Sequence, residues 1–209
     1  MKLIVFGSTG GIGRNIVEQA LRAGHHVTAI ARNPSALTIE HANLEIVKGD
    51  VFQPATFDKV MKEQNAVLSA IGISSAKQTT VYSEGVSNIV KAMQKNGVQR
   101  IICVSASAVV TSPQLSFPIR MMTKLLQKIL KNMYSDLLKM EQVVTQTNLE
   151  WTVVRPPKLT KKPVTGKYRF AVNEWLSSCL SISRADVAHF MLQHIDDTDT
   201  YRSIIEVAN

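Results

Sequence analysis

Four glycines lie within seven positions near the start of the sequence, at Gly7, Gly10, Gly11 and Gly13. They stand between an apolar run at residues 2–6 and a helical pattern that follows. Backbone N–H groups at the N-terminus of a helix have no partner inside the helix, and their partial positive charge suits a phosphate. A pyrophosphate reaches these amides only where no Cβ intervenes. The sequence therefore predicts a dinucleotide-binding loop between a first strand and a first helix.

Two glycine spacings describe this loop equally well. Gly7, Gly10 and Gly13 match G-x-x-G-x-x-G, whereas Gly7, Gly11 and Gly13 match G-x-x-x-G-x-G. In either spacing the first glycine makes a tight turn, the middle one admits the ligand, and the last one lets helix and strand pack closely. The predicted cofactor contacts of the loop are Gly7, Ser8, Thr9, Gly10, Gly11, Ile12 and Gly13.

The end of the second predicted strand indicates which dinucleotide binds. Sites for NAD often carry Asp or Glu there, to hold the ribose 2′-hydroxyl. This sequence has Arg32 instead, and a planar guanidinium can donate two hydrogen bonds to a 2′-phosphate. Arg14, directly after the last glycine, either adds a second positive group or is an ordinary exposed helix residue. We therefore predict that NADP(H) is preferred over NAD(H).

The third and fourth predicted strands end in residues that fit the same ligand. Asp50 follows the third strand and could accept a hydrogen bond from the adenine amino group, with the N–H of Val51 beside it. Its alternative role is that of a loop aspartate that caps the next helix. Ala70, Ile71 and Gly72 follow the fourth strand, where small residues let the chain run beside a cofactor. In open parallel sheets, ligands bind at the carboxyl ends of the strands, where all of these residues lie.

Alternating strand and helix patterns must position these residues. The predicted strands are 2–6, 26–30, 44–47, 66–70, 100–104, 151–155 and 203–207. The predicted helices are 12–23, 55–64, 80–96, a long stretch within 118–147, and 184–195. This alternation predicts an α/β fold: a single Rossmann-like domain with a doubly wound parallel sheet and helices on both faces. We predict one NAD(P)-binding domain over residues 1–209, with a core at 1–155 and a small C-terminal substrate-side extension at 156–209.

Composition argues against several other classes of function. The net charge is +8, but the lysines and arginines are dispersed apart from a denser stretch at 120–131, so nucleic-acid binding is not expected. No apolar run approaches the roughly 18 residues of a membrane span, and the N-terminus reads as a strand rather than a signal peptide. Two cysteines, Cys103 and Cys179, are too few for a disulfide framework, so we expect a cytoplasmic protein. The five histidines lack metal-ligand spacing, and no metal site is predicted.

Motifs along nearly the whole chain resemble one family, the atypical short-chain dehydrogenase/reductases with an NAD(P)H-binding Rossmann domain. Within it they are similar to the NADPH-dependent flavin and biliverdin-IXβ reductases. The matching motifs are residues 7–13, 31–33, 49–51, 83–90, 104–108, 155–159, 165–168 and 183–191. The resemblance implies hydride transfer from NADPH to a planar, electron-poor small molecule such as a flavin, a quinone or a linear tetrapyrrole, by a monomer or homodimer. The alternative is a non-catalytic NADP-binding sensor or regulator.

The sequence lacks the Tyr-x-x-x-Lys spacing that classical short-chain dehydrogenase/reductases use for catalysis. In its Tyr-x-x-x-Lys pair the lysine stands four residues after the tyrosine, but here Leu138 stands four after Tyr134 and Lys139 stands five after. On a helix this turns the lysine about 140° away from the tyrosine, so we expect no tyrosine acid. A flavin or quinone can take its proton from water, so the reaction does not require a dedicated acid.

The resemblance also assigns residues near the nicotinamide. Relatives have a serine after the fifth strand; Ala106 stands at that position, so either Ser105 or Ser107 takes the role. Pro156 is assigned to the cofactor. Lys158 stands where relatives have a histidine, and it either favours an anionic or carbonyl-bearing acceptor or is a loop lysine in water.

A stretch that begins at Phe117-Pro118 has an apolar face and a basic face. The apolar face consists of Met121, Met122, Leu125, Leu126, Ile129, Leu130 and Met133. The basic face consists of Arg120, Lys124, Lys128 and Lys131. One interpretation is a lid, a dimer contact or a membrane contact, because methionines adapt to varied partners. The other is an amphipathic helix that covers the sheet and keeps its charged face in water.

Overall fold

The computed structural model describes residues 1–73, 80–112 and 115–209. Its strands are β1 (Lys2–Phe6), β2 (His26–Ala31), β3 (Leu44–Lys48), β4 (Ala66–Ser69), β5 (Arg100–Val104), β6 (Glu150–Arg155), β7 (Lys158–Thr160), β8 (Arg169–Val172), β9 (Ser181–Ser183) and β10 (Ser203–Ala208). Its α-helices are α1 (Gly11–Arg22), α2 (Asp58–Met61), α3 (Ser83–Asn96), α4 (Phe117–Ile129), α5 (Lys131–Thr145) and α6 (Arg184–Gln193).

Eight of the strands form one sheet in the order β3-β2-β1-β4-β5-β6-β10-β8. All neighbours are parallel except β8, which runs antiparallel to β10 at one edge. β7 and β9 pair separately as a short parallel ladder. The chain builds outward from β1 to β3 and then restarts on the other side of β1 with β4. Such a reversal leaves a crevice at the carboxyl ends of β1 and β4, where ligands bind in open α/β sheets.

Helices cover both faces of the sheet, as predicted. In β1, Leu3 and Val5 face the layer that contains α1 and α6, whereas Ile4 and Phe6 face the layer that contains α3 and α5. All four side chains are fully buried. A strand that is buried on both faces reads as a continuous apolar run, which is why the strands were readily visible in the sequence. The predicted α/β Rossmann-like fold is confirmed.

Several elements differ from the prediction. The stretch 118–147 is two helices, because Leu130 leaves the helical conformation and separates α4 from α5. The stretch 55–64 contains only the four-residue α2, after a 3-10 turn at Pro54–Thr56. The strands β7, β8 and β9 were not predicted; they have three or four residues each, too few for a recognisable alternation. Within the three described ranges, no helix is long and apolar enough to cross a membrane.

Candidate functional site

A cavity of about 530 Å³ opens at the carboxyl ends of β1, β2, β4 and β5. The glycine loop, the segments after β2, β3, β4 and β5, and side chains of α5 all contribute to its wall. The predicted cofactor residues that line it are Gly7, Thr9, Gly10, Gly11, Ile12, Arg32, Asp50, Val51, Ala70, Ile71 and Gly72. Residues from every strand end that the sequence singled out therefore meet in one place.

The glycine loop owes its shape to the missing Cβ atoms. Gly7 adopts a left-handed φ of +74°, and a Cβ on it would lie 2.3 Å from the carbonyl oxygen of Ala70. A Cβ on Gly13 would lie 2.1 Å from the carbonyl oxygen of Gly7, so this glycine lets α1 pack against the loop. Gly10 is the N-cap of α1 and, having no side chain, leaves the first amides of the helix uncapped on the cavity side.

Not every loop residue faces the cavity. Ser8 is fully buried, and its hydroxyl donates a hydrogen bond to the carbonyl oxygen of Ile30 at 2.8 Å. This bond fastens the loop to β2, so Ser8 supports the site without lining it. Gly13 likewise lies behind the loop. Thr9, by contrast, is exposed and lines the cavity.

The two candidate arginines are placed differently. Arg32 is exposed directly after β2 and lines the cavity. Arg14 lies outside the lining, where its Nε donates to Glu18 Oε1 at 3.0 Å one turn along α1. The structure therefore brings Arg32, and not Arg14, to the cavity wall. Arg14 is half-buried on α1, and its NH2 also donates to the Thr38 hydroxyl at 3.5 Å.

Asp50 lies in the cavity wall but does not cap the next helix, whose N-cap is Phe57. It lines the cavity, but its Oδ1 already accepts a hydrogen bond from the backbone N–H of Phe52 at 3.0 Å. Asp50 thus closes a turn after β3 at the wall of the cavity. The carbonyl oxygen of the neighbouring Val51 accepts a bond from the Asn88 side chain at 2.9 Å, which fixes this turn against α3.

Ser105 belongs to a buried charged network behind the cavity wall. Its hydroxyl donates to Glu141 Oε1 at 2.6 Å. Arg155 grips the same carboxylate with two bonds, from Nε to Oε1 at 2.9 Å and from NH2 to Oε2 at 2.5 Å. Since the hydroxyl proton is committed to Glu141, the Ser105 oxygen has only acceptor capacity left for a further hydrogen bond. The sequence singled out Ser105 but not its two partners, which lie on α5 and β6.

Besides Ser8, Gly13 and Arg14, three predicted residues lie outside the cavity wall: Ser107, Pro156 and Lys158. Ser107 lies in a 3-10 turn, where its N–H donates to the carbonyl oxygen of the buried Pro156 at 2.9 Å. Lys158 is exposed on β7, whereas the next residue, Leu159, lines the cavity. Successive side chains of a strand point to opposite sides, which separates the two. Of the two serine alternatives, the structure therefore places Ser105 and not Ser107 at the cavity.

Arg184 lines the cavity beside the glycine loop, although the sequence indicated it only as part of the motif at 183–191 and not as a site residue. Its side chain runs so close to Gly11 that a Cβ there would lie 2.4 Å from Arg184 Cδ. Its NH1 donates to the carbonyl oxygen of Thr160 at 3.1 Å, which holds the guanidinium in place. Arg184 is the first residue of α6, and nothing in the local sequence relates that helix to the start of α1.

The far wall is apolar and carries a tyrosine. Met133 and Leu137 of α5 line it together with Tyr82 and Ile71. Burial raises the pKa of Tyr82 above its ordinary value. Tyr134, by contrast, lies outside the lining, half-buried against the core, and burial raises its pKa as well. An apolar wall of this kind excludes water from one side of a bound ligand.

A glycine loop at the start of a parallel sheet, with a cavity above the strand ends, defines the class of nucleotide-binding Rossmann-fold proteins. Residues 7–198 match the family model described as NAD(P)H-binding. The chain therefore belongs to the NAD(P)H-binding family, and the expected resemblance to the short-chain dehydrogenase/reductases is confirmed at that level.

Curated relatives are distant in sequence. The chain is 26% identical over 159 residues to photosystem II assembly factor Ycf39 of Synechocystis, which covers 74% of this chain and 44% of that protein. It is 27% identical to an uncharacterized chloroplastic protein of Arabidopsis thaliana, over 99% of this chain and 76% of the other. The chain thus spans less than half the length of the Synechocystis relative.

Solved structures share the fold over the whole chain. The oxidoreductase ylbE of Lactococcus lactis superposes with a TM-score of 0.83 at 21% identity, covering 100% of this chain and 91% of the other. A short-chain dehydrogenase/reductase of Veillonella parvula in complex with NADP gives 0.82 at 18% identity, covering 100% and 94%. ChuY, an anaerobilin reductase of Escherichia coli O157:H7, gives 0.81 at 19% identity, covering 100% and 97%.

Proposed function

We propose that this chain is an NADPH-dependent oxidoreductase that transfers a hydride to a planar, electron-poor acceptor, of the flavin, quinone or linear tetrapyrrole class. The observation that carries the proposal is the uncapped start of α1 at Gly10, which faces the same cavity as Arg32 and Ser105. These groups match the pyrophosphate, the 2′-phosphate and the nicotinamide end of one dinucleotide. Bound NADPH would supply the hydride.

The preference for NADPH rests on Arg32. The cavity wall after β2 carries this guanidinium where NAD sites often carry an acidic residue. A guanidinium binds a phosphate with two charge-assisted hydrogen bonds, which a ribose hydroxyl cannot replace. Arg184, beside Gly11, supplies a further positive charge next to the proposed pyrophosphate position.

Six further lining residues have defined tasks in this proposal. Ser105 accepts a hydrogen bond and so orients an amide N–H2 or a pyrrole N–H, because Glu141 holds its own proton away from the cavity. Met133, Leu137 and Ile71 exclude water from the reacting face. Asp50 and Val51 hold the adenine end. Holding the donor against the acceptor in this way supplies much of the rate, since the cofactor carries the chemistry.

Residues 1–155 would then bind the dinucleotide, whereas residues 156–209 would close the substrate side. In support, the later segment contributes Leu159 and Arg184 to the cavity wall. The name of the ChuY neighbour favours a tetrapyrrole among the acceptors. The monomeric or homodimeric state and the cytoplasmic location of the chain stay predictions. One relative is described as chloroplastic.

A second candidate function is that of a non-catalytic NADP-dependent regulator. It is favoured by the position of Tyr134, Ser107 and Lys158, all of which lie outside the described cavity lining. A curated relative named as an assembly factor is consistent with such a role. Calorimetric NADPH binding together with a complete lack of turnover of FMN, menadione and biliverdin would favour this candidate over the reductase.

The reductase proposal is tested at Gly10, where side-chain charge can be separated from side-chain bulk. Gly10→Asp puts a carboxylate at the N-cap, which suits the helix but repels a pyrophosphate. Gly10→Asn has nearly the same shape without the charge. A Cβ here lies 3.2 Å from the carbonyl oxygen of Gly7, so both variants need the same small adjustment.

We expect both variants to retain the unfolding temperature of the parent within a few degrees, while Gly10→Asp loses at least about tenfold more NADPH affinity than Gly10→Asn in calorimetry. NADPH oxidation with FMN, menadione or biliverdin should fall in the same order. Equal affinities of the two variants and the parent chain would overturn the cofactor site itself.

A further inference from the structure

Helix α4 presents a continuous apolar surface to solvent. Phe117 is 74% exposed, Ile129 is 64% exposed and Met122 is 60% exposed. The other exposed apolar residues of this helix are Met121, Leu125 and Leu126. None of the thirteen residues of α4, all of which the structure describes, is buried. We call these six side chains the α4 apolar surface.

The helix is attached to the protein by its polar side. Gln127 Nε2 donates to the carbonyl oxygen of Ala108 at 2.8 Å, and Gln127 Oε1 accepts from the Thr111 hydroxyl at 3.3 Å. A surface helix of a water-exposed protein ordinarily does the opposite and buries its apolar stripe. The amphipathic helix is present as predicted, but it does not cover the sheet with its apolar face. The packing of α4 therefore points its apolar surface away from the protein.

Positive charge accompanies this surface without any counter-charge in the sequence. Lys124 lies three residues after Met121 and Lys128 three residues after Leu125, at the edge of the α4 apolar surface, and Lys131 follows at the start of α5. The sequence contains no aspartate or glutamate from residue 85 to residue 135. An apolar face edged by lysines is the pattern of helices that lie in the interface of an anionic lipid bilayer.

We propose that α4 docks on the surface of an anionic lipid bilayer, with the α4 apolar surface among the acyl chains and Lys124 and Lys128 at the headgroups. Each lysine near an anionic surface contributes about 1 kcal/mol, and long side chains reach the headgroups while their stems remain in the apolar layer. A second copy of the chain fits less well, because two α4 helices packed together would place lysines against lysines. The proposal is independent of the proposed reductase function.

Vesicle co-sedimentation tests whether the positive charge of Lys124 and Lys128 contributes to lipid binding. The whole chain is mixed with vesicles of phosphatidylcholine alone, or of phosphatidylcholine with about one quarter phosphatidylglycerol. We expect binding to the anionic vesicles and at least tenfold weaker binding to the neutral ones. Lys124→Glu with Lys128→Glu should weaken binding to anionic vesicles by at least about tenfold. Lys59→Glu with Lys91→Glu makes the same change in net charge at exposed positions on α2 and α3, and should lower binding by less than about threefold.

Two matched leucine substitutions test whether the α4 apolar surface contributes to vesicle binding. Leu125 is 58% exposed on α4, and Leu180 is 63% exposed elsewhere. We expect Leu125→Gln to reduce vesicle binding by about five- to tenfold, whereas Leu180→Gln leaves it unchanged. NADPH binding of all variants, measured by calorimetry, should match the parent chain, which separates this test from that of the cofactor site.

Three results would overturn the proposal. The first is equal binding to neutral and anionic vesicles, and the second is an equal loss in the two lysine pairs. The third is a dimer in light scattering that Leu125→Gln dissociates, with no vesicle binding by the parent chain. That last outcome would identify a second copy as the occupant of the α4 apolar surface.

Discussion

Arg32 carries the proposed choice between NADPH and NADH. Replacing it by aspartate removes the guanidinium from the cavity wall and installs the acidic residue that NAD sites often use. Loss of a hydrogen bond to a charged group costs about 1.5–3 kcal/mol, so we expect about 10- to 100-fold weaker NADPH binding in calorimetry. Binding of NADH should stay within about threefold of the parent or improve.

Arg22→Asp is a charge-matched control for this substitution. Arg22 lies on the exposed end of α1, where it pairs with Glu18 at 3.7 Å, away from the cavity. We expect it to leave the NADPH-to-NADH affinity ratio unchanged. If Arg32→Asp weakened both dinucleotides equally, Arg32 would not recognise the 2′-phosphate.

Ser105 and Ser107 differ only in where the fold places them, which makes them a matched pair. Ser105 lines the cavity, whereas Ser107 lies outside its lining, in a 3-10 turn. Because orientation of the reacting groups depends on Ser105, Ser105→Ala should lower kcat for NADPH oxidation about tenfold. Ser107→Ala should change kcat less than about twofold. Circular dichroism melting curves check that both variants fold.

The sequence predicted the residues that stand at strand ends but not those that reach the site across the fold. Gly7, Arg32 and Asp50 follow strands whose carboxyl ends must meet, so their convergence follows from topology alone. Glu141, Arg155 and Arg184 come from later elements, and no spacing in the sequence relates them to Ser105 or Gly11. Their roles depend on tertiary packing, which only the structure supplies.

At the scale of elements, Asp186 connects the substrate-side loop to α6. Its carboxylate accepts from the backbone N–H groups of Thr165 at 2.7 Å and Gly166 at 2.9 Å. The Ser183 hydroxyl donates to Asp186 Oδ2, and the Asp186 N–H donates back to the Ser183 oxygen at 2.8 Å. Ser183 thus caps the N-terminus of α6 through its side chain, and Asp186 also anchors the loop before the helix.

This carboxylate should make the protein sensitive to acid. Burial acts to raise the pKa of Asp186, but the hydrogen bonds it accepts outweigh burial, and the pKa lies below its ordinary value of 3.8. A lowered folded-state pKa stabilises the fold above pH 3.8, and this contribution is lost as the pH falls through the folded-state pKa.

We therefore expect Asp186→Asn to lower the free energy of unfolding by about 1–3 kcal/mol at neutral pH, because a charged acceptor of four hydrogen-bond donors is replaced by a neutral one. Below pH 3.8 the difference from the parent chain should shrink. Urea unfolding at both pH values measures it. Asp196→Asn, at an exposed position after α6, should change the free energy by less than about 0.5 kcal/mol.

Elements with strong periodicity or long apolar runs were predictable, and the others were not. The strands β1 to β6 and β10 match their predictions within one residue at each end. Most of them are largely buried and therefore read as apolar runs, whereas β3, at the edge of the sheet, is only partly buried. The break between α4 and α5 at Leu130 has no proline or glycine to reveal it. The two helices differ in their surroundings, because α5 packs on α3 and contributes buried residues whereas α4 has none, and local sequence does not encode that difference.

At the scale of the whole molecule, the reactivity of the two cysteine thiols measures how well the folded protein protects its interior from solvent. Cys103 is buried in β5, and burial raises its pKa to about 12. Cys179 is partly exposed; burial and, to a smaller extent, the Glu206 carboxylate raise its pKa to about 12 as well. Thiols react as thiolates, so both should be nearly inert in the folded protein at neutral pH.

We expect Ellman's reagent to label the native chain at least about 1000-fold more slowly than the chain in concentrated urea, with Cys179 reacting before Cys103. The Cys179→Ala variant isolates the slower thiol, whose rate should follow the global unfolding equilibrium across a urea series. Rapid labelling of Cys103 in the absence of urea would contradict the burial of this thiol in the folded protein.

The position of β10 has a consequence for how the protein is made. This strand lies between β6 and β8, both of which precede it in the chain, and it is the partner of β8 in the large sheet. During synthesis on the ribosome, residues 169–172 therefore emerge well before the strand that will hold them. Until residues 203–208 follow, the edge of β6 lacks its partner strand, and an unpaired edge of this kind is open to pairing with other nascent chains.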